Sequence, residues 1–102
     1  MRIPLASLRL EQPRCVNFDG TSVLVCRTES GVYAIENLCS HREFPLSGGP
    51  VVRDLIICPV HGASFDLRTG KPQTNPNLAP VKAYPVMLDG DFAVLGVPES
   101  RA

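Results

Sequence analysis

Short apolar runs recur along the chain between residues that break or turn it. Residues 14–18, 22–27, 32–36, 55–57, 82–88 and 92–97 are rich in Val, Ile, Leu, Phe and Tyr, and none is long enough for a stable helix. The longest stretch without Pro or Gly, 32–44, opens on β-branched and aromatic residues, so it too reads as a strand rather than a helix. Asp19-Gly20 and Asp89-Gly90 are hairpin signals, because Gly accepts positive φ freely and Asp better than most residues. Glu29-Ser30-Gly31 turns the chain between the second and third runs. The pattern predicts an all-β antiparallel meander closing into a sandwich or small barrel, with Val23, Val25, Phe92, Val94 and Leu95 in its core.

Three stretches fit no strand. Residues 37–50 and 58–69 each contain one Cys and one His, and 72–80 carries Pro72, Pro76 and Pro80, the composition of a stiff, non-helical cover. Loops held by a rigid sheet are where function usually resides.

At 102 residues there is room for one domain, 1–102, and little room for a second. Ten Lys and Arg offset ten Asp and Glu, with no basic run to track a phosphate backbone, which argues against nucleic acid as a partner. The N-terminal residues lack the apolar segment and cleavage site of a signal peptide, and no apolar stretch is long enough to span a bilayer. The expectation is a cytoplasmic protein without a membrane partner. In that compartment thiols stay reduced, so four cysteines suggest metal before disulfides.

Their neighbours carry the chemistry. Cys39-Ser40-His41 sets a thiolate and an imidazole two positions apart, and Cys58-Pro59-Val60-His61 sets the same pair three positions apart. Both histidines of the chain are used in these pairs. A lone Cys or His is usually a small core residue or a surface group, but two Cys-His pairs on two Gly- and Pro-rich loops point to a metal site. A tetrahedral zinc site competes, although zinc modules of that donor set commonly take both cysteines from one knuckle and both histidines from a helix, and no helix is predicted here. Cys15 and Cys26 read as structural thiols. A two-residue turn at Asp19-Gly20 sets Cys15 opposite Leu24, leaving Cys26 a diagonal neighbour at roughly 7–8 Å, beyond disulfide reach.

The boxes Cys39-Ser40-His41 and Cys58-Pro59-Val60-His61-Gly62 resemble those of the Rieske family. Pro45-Leu46-Ser47 with Gly48-Gly49, Phe65-Asp66, Thr69-Gly70 and the 80–86 stretch are similar to the small Rieske ferredoxins of bacterial oxygenase systems, from Asp19-Gly20 onward. The resemblance implies one Rieske-type [2Fe-2S] cluster, with Cys39 and Cys58 on the inner iron and His41 and His61 on the outer. It also implies a Rieske fold, with a base of about 1–37 and 68–102 and a cluster-binding subdomain of two loops at about 38–67. Two neutral imidazoles in place of two thiolates make the site less negative and raise its potential over an all-Cys cluster.

High-potential members of the family add a loop-to-loop disulfide where this chain has Phe44 and Val60, and hydroxyl donors to sulfur where it has Ala63 and Phe65. Lost donors destabilise the more negative reduced state, so the potential is expected near the low end of the family's roughly −150 to +300 mV range. With both histidines assigned, none remains for a mononuclear oxygen-activating iron, so the chain is expected to carry electrons rather than act on substrate. The implied partners are an NAD(P)H-dependent flavoprotein reductase and a terminal ring-hydroxylating oxygenase of aromatic degradation, with the carrier a monomer. A docking face is expected at Arg42, Glu43, Phe44, Pro45, Val60 and Pro80. A nitrite reductase small subunit or a zinc-stabilised interaction module are the rival readings.

Overall fold

A computed structural model of the chain describes residues 1–39, 45–60, 62–74 and 77–97. Its strands are β1 (Arg2–Pro4), β2 (Arg14–Phe18), β3 (Thr21–Thr28), β4 (Gly31–Glu36), β5 (Val51–Val52), β6 (Leu55–Ile57), β7 (Ser64–Asp66), β8 (Ala83–Tyr84), β9 (Val86–Asp89) and β10 (Phe92–Leu95), with a single 3-10 turn at Leu5–Ser7. They pair antiparallel in three sheets, ordered β2-β3-β4-β8, β1-β10-β9 and β5-β6-β7. The all-β expectation holds and the layered form of it prevails: β2 and β8 end their sheet without pairing to each other, so no barrel closes.

The four-stranded sheet serves two cores because successive side chains of a strand point to opposite faces. On β3, Val23 and Val25 face one core with Ile3, Leu8, Ala34, Tyr84 and Leu95. Leu24 and Cys26 face the other, with Ile35, Leu46, Ile56 and Phe65. That alternation explains why β3 is buried over four consecutive residues, Val23 to Cys26, where a one-sided strand would alternate. The β1-β10-β9 sheet supplies Ile3 and Leu95 to the first core, and the β5-β6-β7 sheet supplies Val51, Ile56 and Phe65 to the second.

Asp19 and Gly20 both take positive φ, 53° and 84°, in the two-residue turn between Phe18 and Thr21. This sets Cys15 opposite Leu24, the expected register. At the last hairpin Asp89 pairs with Phe92, so the turn residues are Gly90 and Asp91, one position later than Asp89-Gly90 suggests.

The expected strand 82–88 is cut at Pro85, which has no N–H for a ladder. The chain leaves the four-stranded sheet after Tyr84 and enters the other sheet at Val86. Just past β10 the Gly96 N–H donates to the Pro85 carbonyl at 2.9 Å, and a Cβ on Gly96 would meet the Pro85 ring at 3.2 Å. In β10 the inward positions are Ala93 and Leu95, while Phe92 and Val94 are half-buried, which corrects their placement in the core. The Phe92 ring instead lies under the Arg2 guanidinium at 4.7 Å.

Three short strands carry too little pattern to be read from sequence. β1 has one buried residue, Ile3, β5 has two residues in all, and β7 has a single apolar residue, Phe65, between Ser64 and Asp66. The stretch 58–69 therefore contains a strand where none was expected, and the region carrying the Cys-His boxes has a sheet of its own rather than two loops alone.

Candidate metal centre

The β5-β6-β7 sheet presents the two boxes at adjacent loops. The first runs from β4 to β5, and the second is the tip of the β6–β7 hairpin. That tip extends the ladder beyond the Ile57–Ser64 pair: the Cys58 N–H donates to the Ala63 carbonyl at 2.7 Å, and the Gly62 N–H donates to the Cys58 carbonyl at 3.0 Å. Gly62 takes φ of +73°, a conformation that lets the six-residue tip turn back on itself. Cys58 is thus fixed from both sides by backbone bonds.

The first loop is closed at its far end by a turn over residues 46–49, with the Gly49 N–H donating to the Leu46 carbonyl at 3.0 Å and the Leu46 side chain fully buried. Gly49 then passes directly over β6. A Cβ on it would stand 1.9 Å from the Ile57 carbonyl oxygen, so only glycine allows the first loop to lie against the strand that delivers Cys58. The Ile57 N–H donates to the Pro50 carbonyl at 3.0 Å, which sews the two loops together one residue before Cys58. At its near end the loop is held by Asn37, whose side-chain oxygen accepts the Ser47 N–H at 2.9 Å and whose side-chain nitrogen donates to the Ser22 hydroxyl at 3.1 Å. Nothing in the sequence marks Asn37 as a tether. Its position beside Cys39 is visible in the sequence, but its two partners are distant and only the fold supplies them.

Hydrogen bonds tie the two ends of the Pro-rich stretch to β7 and to Gly70. The Gln73 N–H donates to the Ser64 carbonyl, the Ser64 N–H donates to the Thr74 hydroxyl, and the Val81 N–H donates to the Gly70 carbonyl, all within 2.8–3.1 Å. Gly70 is another close approach, since a Cβ there would meet the Val81 carbonyl oxygen at 2.0 Å.

These contacts bring Cys39 and Cys58 into one apolar cluster with Ile35, Leu46, Ile56 and Phe65, at 0% and 1% exposure. No disulfide joins any of the four cysteines. Two thiols delivered from separate loops to a dry pocket suit a soft iron site: thiolate charge is costly in such surroundings unless a cation offsets it. Cys26 shows the cost, since burial first, and then the Glu11 and Asp54 carboxylates, push its thiol up to about 11. Cys26 is a fully buried core residue and Cys15 an exposed one that shares a hydrogen bond with Ser22 at 3.0 Å, the structural roles expected of both.

His41 and His61 lie outside the described residues, as do Arg42, Glu43 and Phe44 of the expected docking face. Among the described residues no group of three or more metal-capable side chains gathers, and Cys39 and Cys58 are the two of the four expected ligands that lie among them. Pro45, Val60 and Pro80 are exposed, and Ala63 and Phe65 are buried in or beside the cluster that holds Cys58. Among the described residues no helix is long and apolar enough to cross a membrane.

Known proteins share this fold. The chain is 36% identical over 69 residues to the ferredoxin component of biphenyl 2,3-dioxygenase from Rhodococcus jostii, a stretch covering 68% of this chain and 64%, just under two thirds, of that relative. The solved ferredoxin of carbazole 1,9a-dioxygenase from Nocardioides aromaticivorans superposes with a TM-score of 0.86 at 39% identity, covering 95% of this chain and 94% of that one. A ferredoxin solved in complex with the oxygenase of carbazole 1,9a-dioxygenase superposes at 0.85 with 28% identity, covering 94% of this chain and 100% of that one. Residues 3–85, both Cys-His boxes among them, match the Rieske [2Fe-2S] domain, and the chain belongs to that family.

Proposed function

We propose that the chain is a one-electron carrier, the ferredoxin component of an aromatic-ring-hydroxylating dioxygenase system, and not itself an oxygenase. The observation that carries this reading is the convergence of Cys39 and Cys58, the sulfur positions of both boxes, in one buried cluster. Cys39 and Cys58 would hold the inner iron and His41 and His61 the outer. The bound cluster supplies a single-electron couple. The base, about 1–37 and 68–102, gives the two loops of 38–67 a rigid platform, which limits reorganisation when the charge of the site changes.

The electron would come from an NAD(P)H-dependent flavoprotein reductase and pass to a terminal Rieske oxygenase, with the carrier monomeric and cytoplasmic. Ferredoxin relatives at 36–39% identity support this assignment over a nitrite reductase subunit. A docking face would include Pro45, Val60 and Pro80, exposed beside the loops, since a transient electron-transfer contact needs only a small, partly apolar patch. Val60→Asp is expected to slow reduction of the oxygenase about tenfold, the worth of roughly 1.4 kcal/mol, even though the added carboxylate beside His61 lowers the potential and so raises the driving force. Stopped-flow kinetics beside a redox titration check this, and an unaltered rate moves the docking face elsewhere.

The decisive measurement is electron paramagnetic resonance on the dithionite-reduced protein, with iron and acid-labile sulfide assayed on the same sample. A rhombic signal with average g below that of all-Cys clusters is the expected result. A colourless, zinc-loaded protein that refuses iron-sulfur reconstitution would overturn the proposal.

The buried pair Ala63 and Phe65 offers no hydroxyl to the sulfurs, which supports a potential at the low end of the family range. A hydrogen bond to a charged acceptor is worth about 1.5–3 kcal/mol, part of which the oxidised state keeps, so Ala63→Ser should raise the potential by on the order of 50 mV. Phe65→Tyr should act in the same direction, at some cost in stability because the ring is fully buried. Titration of the three proteins side by side tests both, and a flat or falling potential would refute the account of the tuning.

A further inference from the structure

Asn37 is half-buried, and both ends of its carboxamide make long-range bonds. The oxygen accepts the N–H of Ser47, ten residues on, at 2.9 Å. The nitrogen donates to the hydroxyl of Ser22, fifteen residues back on β3, at 3.1 Å, with a longer contact to the Cys15 sulfur at 3.7 Å. Asn side chains ordinarily bond to backbone within two or three residues, where they make turns and caps. This one spans the first ligand loop and anchors it to the central sheet. Its own N–H donates to the Ser22 carbonyl at 2.9 Å, so backbone and side chain grip the same residue.

We propose that Asn37 is a positioning residue for the metal centre: it closes the first ligand loop against Ser47 and ties it to Ser22, holding Cys39 in place before iron arrives. The inference rests on the Rieske reading of Cys39. A loop of this length is entropically costly to close, and a bond between its two ends lowers the cost at the moment of cluster binding. The side chain must accept the Ser47 N–H and at the same time reach the Ser22 hydroxyl, to which it donates. A carboxamide does both, whereas serine is too short to reach both partners and alanine offers neither group. Aspartate keeps the acceptor for Ser47 and forfeits the donor.

The test compares wild type with Asn37→Ala, Asn37→Asp and Ser22→Ala by amide hydrogen exchange and by iron release to a chelator. In Asn37→Ala, exchange at the Ser47 amide and iron release should each accelerate about tenfold, the worth of one or two hydrogen bonds, while amides of the β1-β10-β9 sheet keep their protection. Asn37→Asp should restore Ser47 protection to within about threefold of wild type. Ser22→Ala removes the hydroxyl that bonds Asn37 and Cys15 and keeps the backbone bond from Asn37, so it should fall between wild type and Asn37→Ala in iron release, and it remains informative if Asn37→Ala fails to fold. The reduced-state resonance of Asn37→Ala should broaden as the site becomes heterogeneous. The proposal is overturned if Ser47 exchange and iron release stay within twofold of wild type in Asn37→Ala, if all amides shift together as in general destabilisation, or if Asn37→Asp behaves like Asn37→Ala. A wild type without a [2Fe-2S] signal would sink the functional reading, while the Ser47 exchange series would still decide the clamp.

Discussion

Cys58→Ser is expected to abolish cluster binding, leaving less than about a tenth of the wild-type iron, no visible absorption and no resonance on reduction. Cys39→Ser should do the same. A hard alkoxide is a poor substitute for thiolate on iron, and its hydroxyl would lie in an apolar cluster that excludes water. What gives the experiment its force is that Cys26 belongs to the same cluster and is equally buried, at 0% exposure. Cys26→Ala removes a sulfur from a packed core and should cost on the order of 1–2 kcal/mol of stability, with iron and sulfide content retained. The Cys26 thiol, pushed up to about 11 chiefly by burial, should also resist alkylation at pH 8 in the folded protein while exposed Cys15 reacts. Chelator-corrected iron assays on these three variants and on Cys15→Ala would therefore divide the cysteines two and two. Retention of the cluster in either Cys39→Ser or Cys58→Ser would remove that residue from the ligand set.

The second large effect is expected from a methyl group. Gly49→Ala puts a Cβ 1.9 Å from the Ile57 carbonyl oxygen, a backbone atom that cannot rotate away, so the two loops must separate. Overpacking of this kind costs on the order of 3 kcal/mol, and the displaced strand is the one that delivers Cys58. The protein should lose both stability and cluster, seen as a lower midpoint in urea and an iron content well below stoichiometric. Gly48→Ala, one residue away, is the control. Gly48 has open space around it and φ of +88°, so the cost should be only the left-handed penalty of about 1–2 kcal/mol with the cluster kept. Equal behaviour of the two variants would mean that the loop contact at Gly49 has no special role.

Much of this molecule is legible in its sequence. The runs at 14–18, 22–27, 32–36 and 55–57 became β2, β3, β4 and β6 because each combines β-branched or aromatic residues with a flanking turn signal. The register of β2 on β3 followed from Asp19-Gly20 alone, since a two-residue turn leaves one way to pair the strands. The Cys-His boxes were legible because their chemistry is local: each thiolate and imidazole pair lies within four consecutive positions.

Other features were beyond a one-dimensional reading. β1, β5 and β7 are too short for a period to show, and they form because neighbouring strands offer unpaired backbone groups. Pro85 could be seen to interrupt a strand, but the transfer of the chain to a different sheet at that point depends on what stands on either side. Residue types and spacing determined that this is an all-β protein with two sulfur-nitrogen pairs on separate loops. The tertiary structure decided that Leu24 and Cys26 face the layer that holds Cys39 and Cys58 while Val23 and Val25 face away, that Gly49 lets the loops touch, and that Asn37 bonds Ser22 and Ser47. Those outcomes rest on contacts between residues eight or more positions apart, whose free energy exists only once the chain has brought them together.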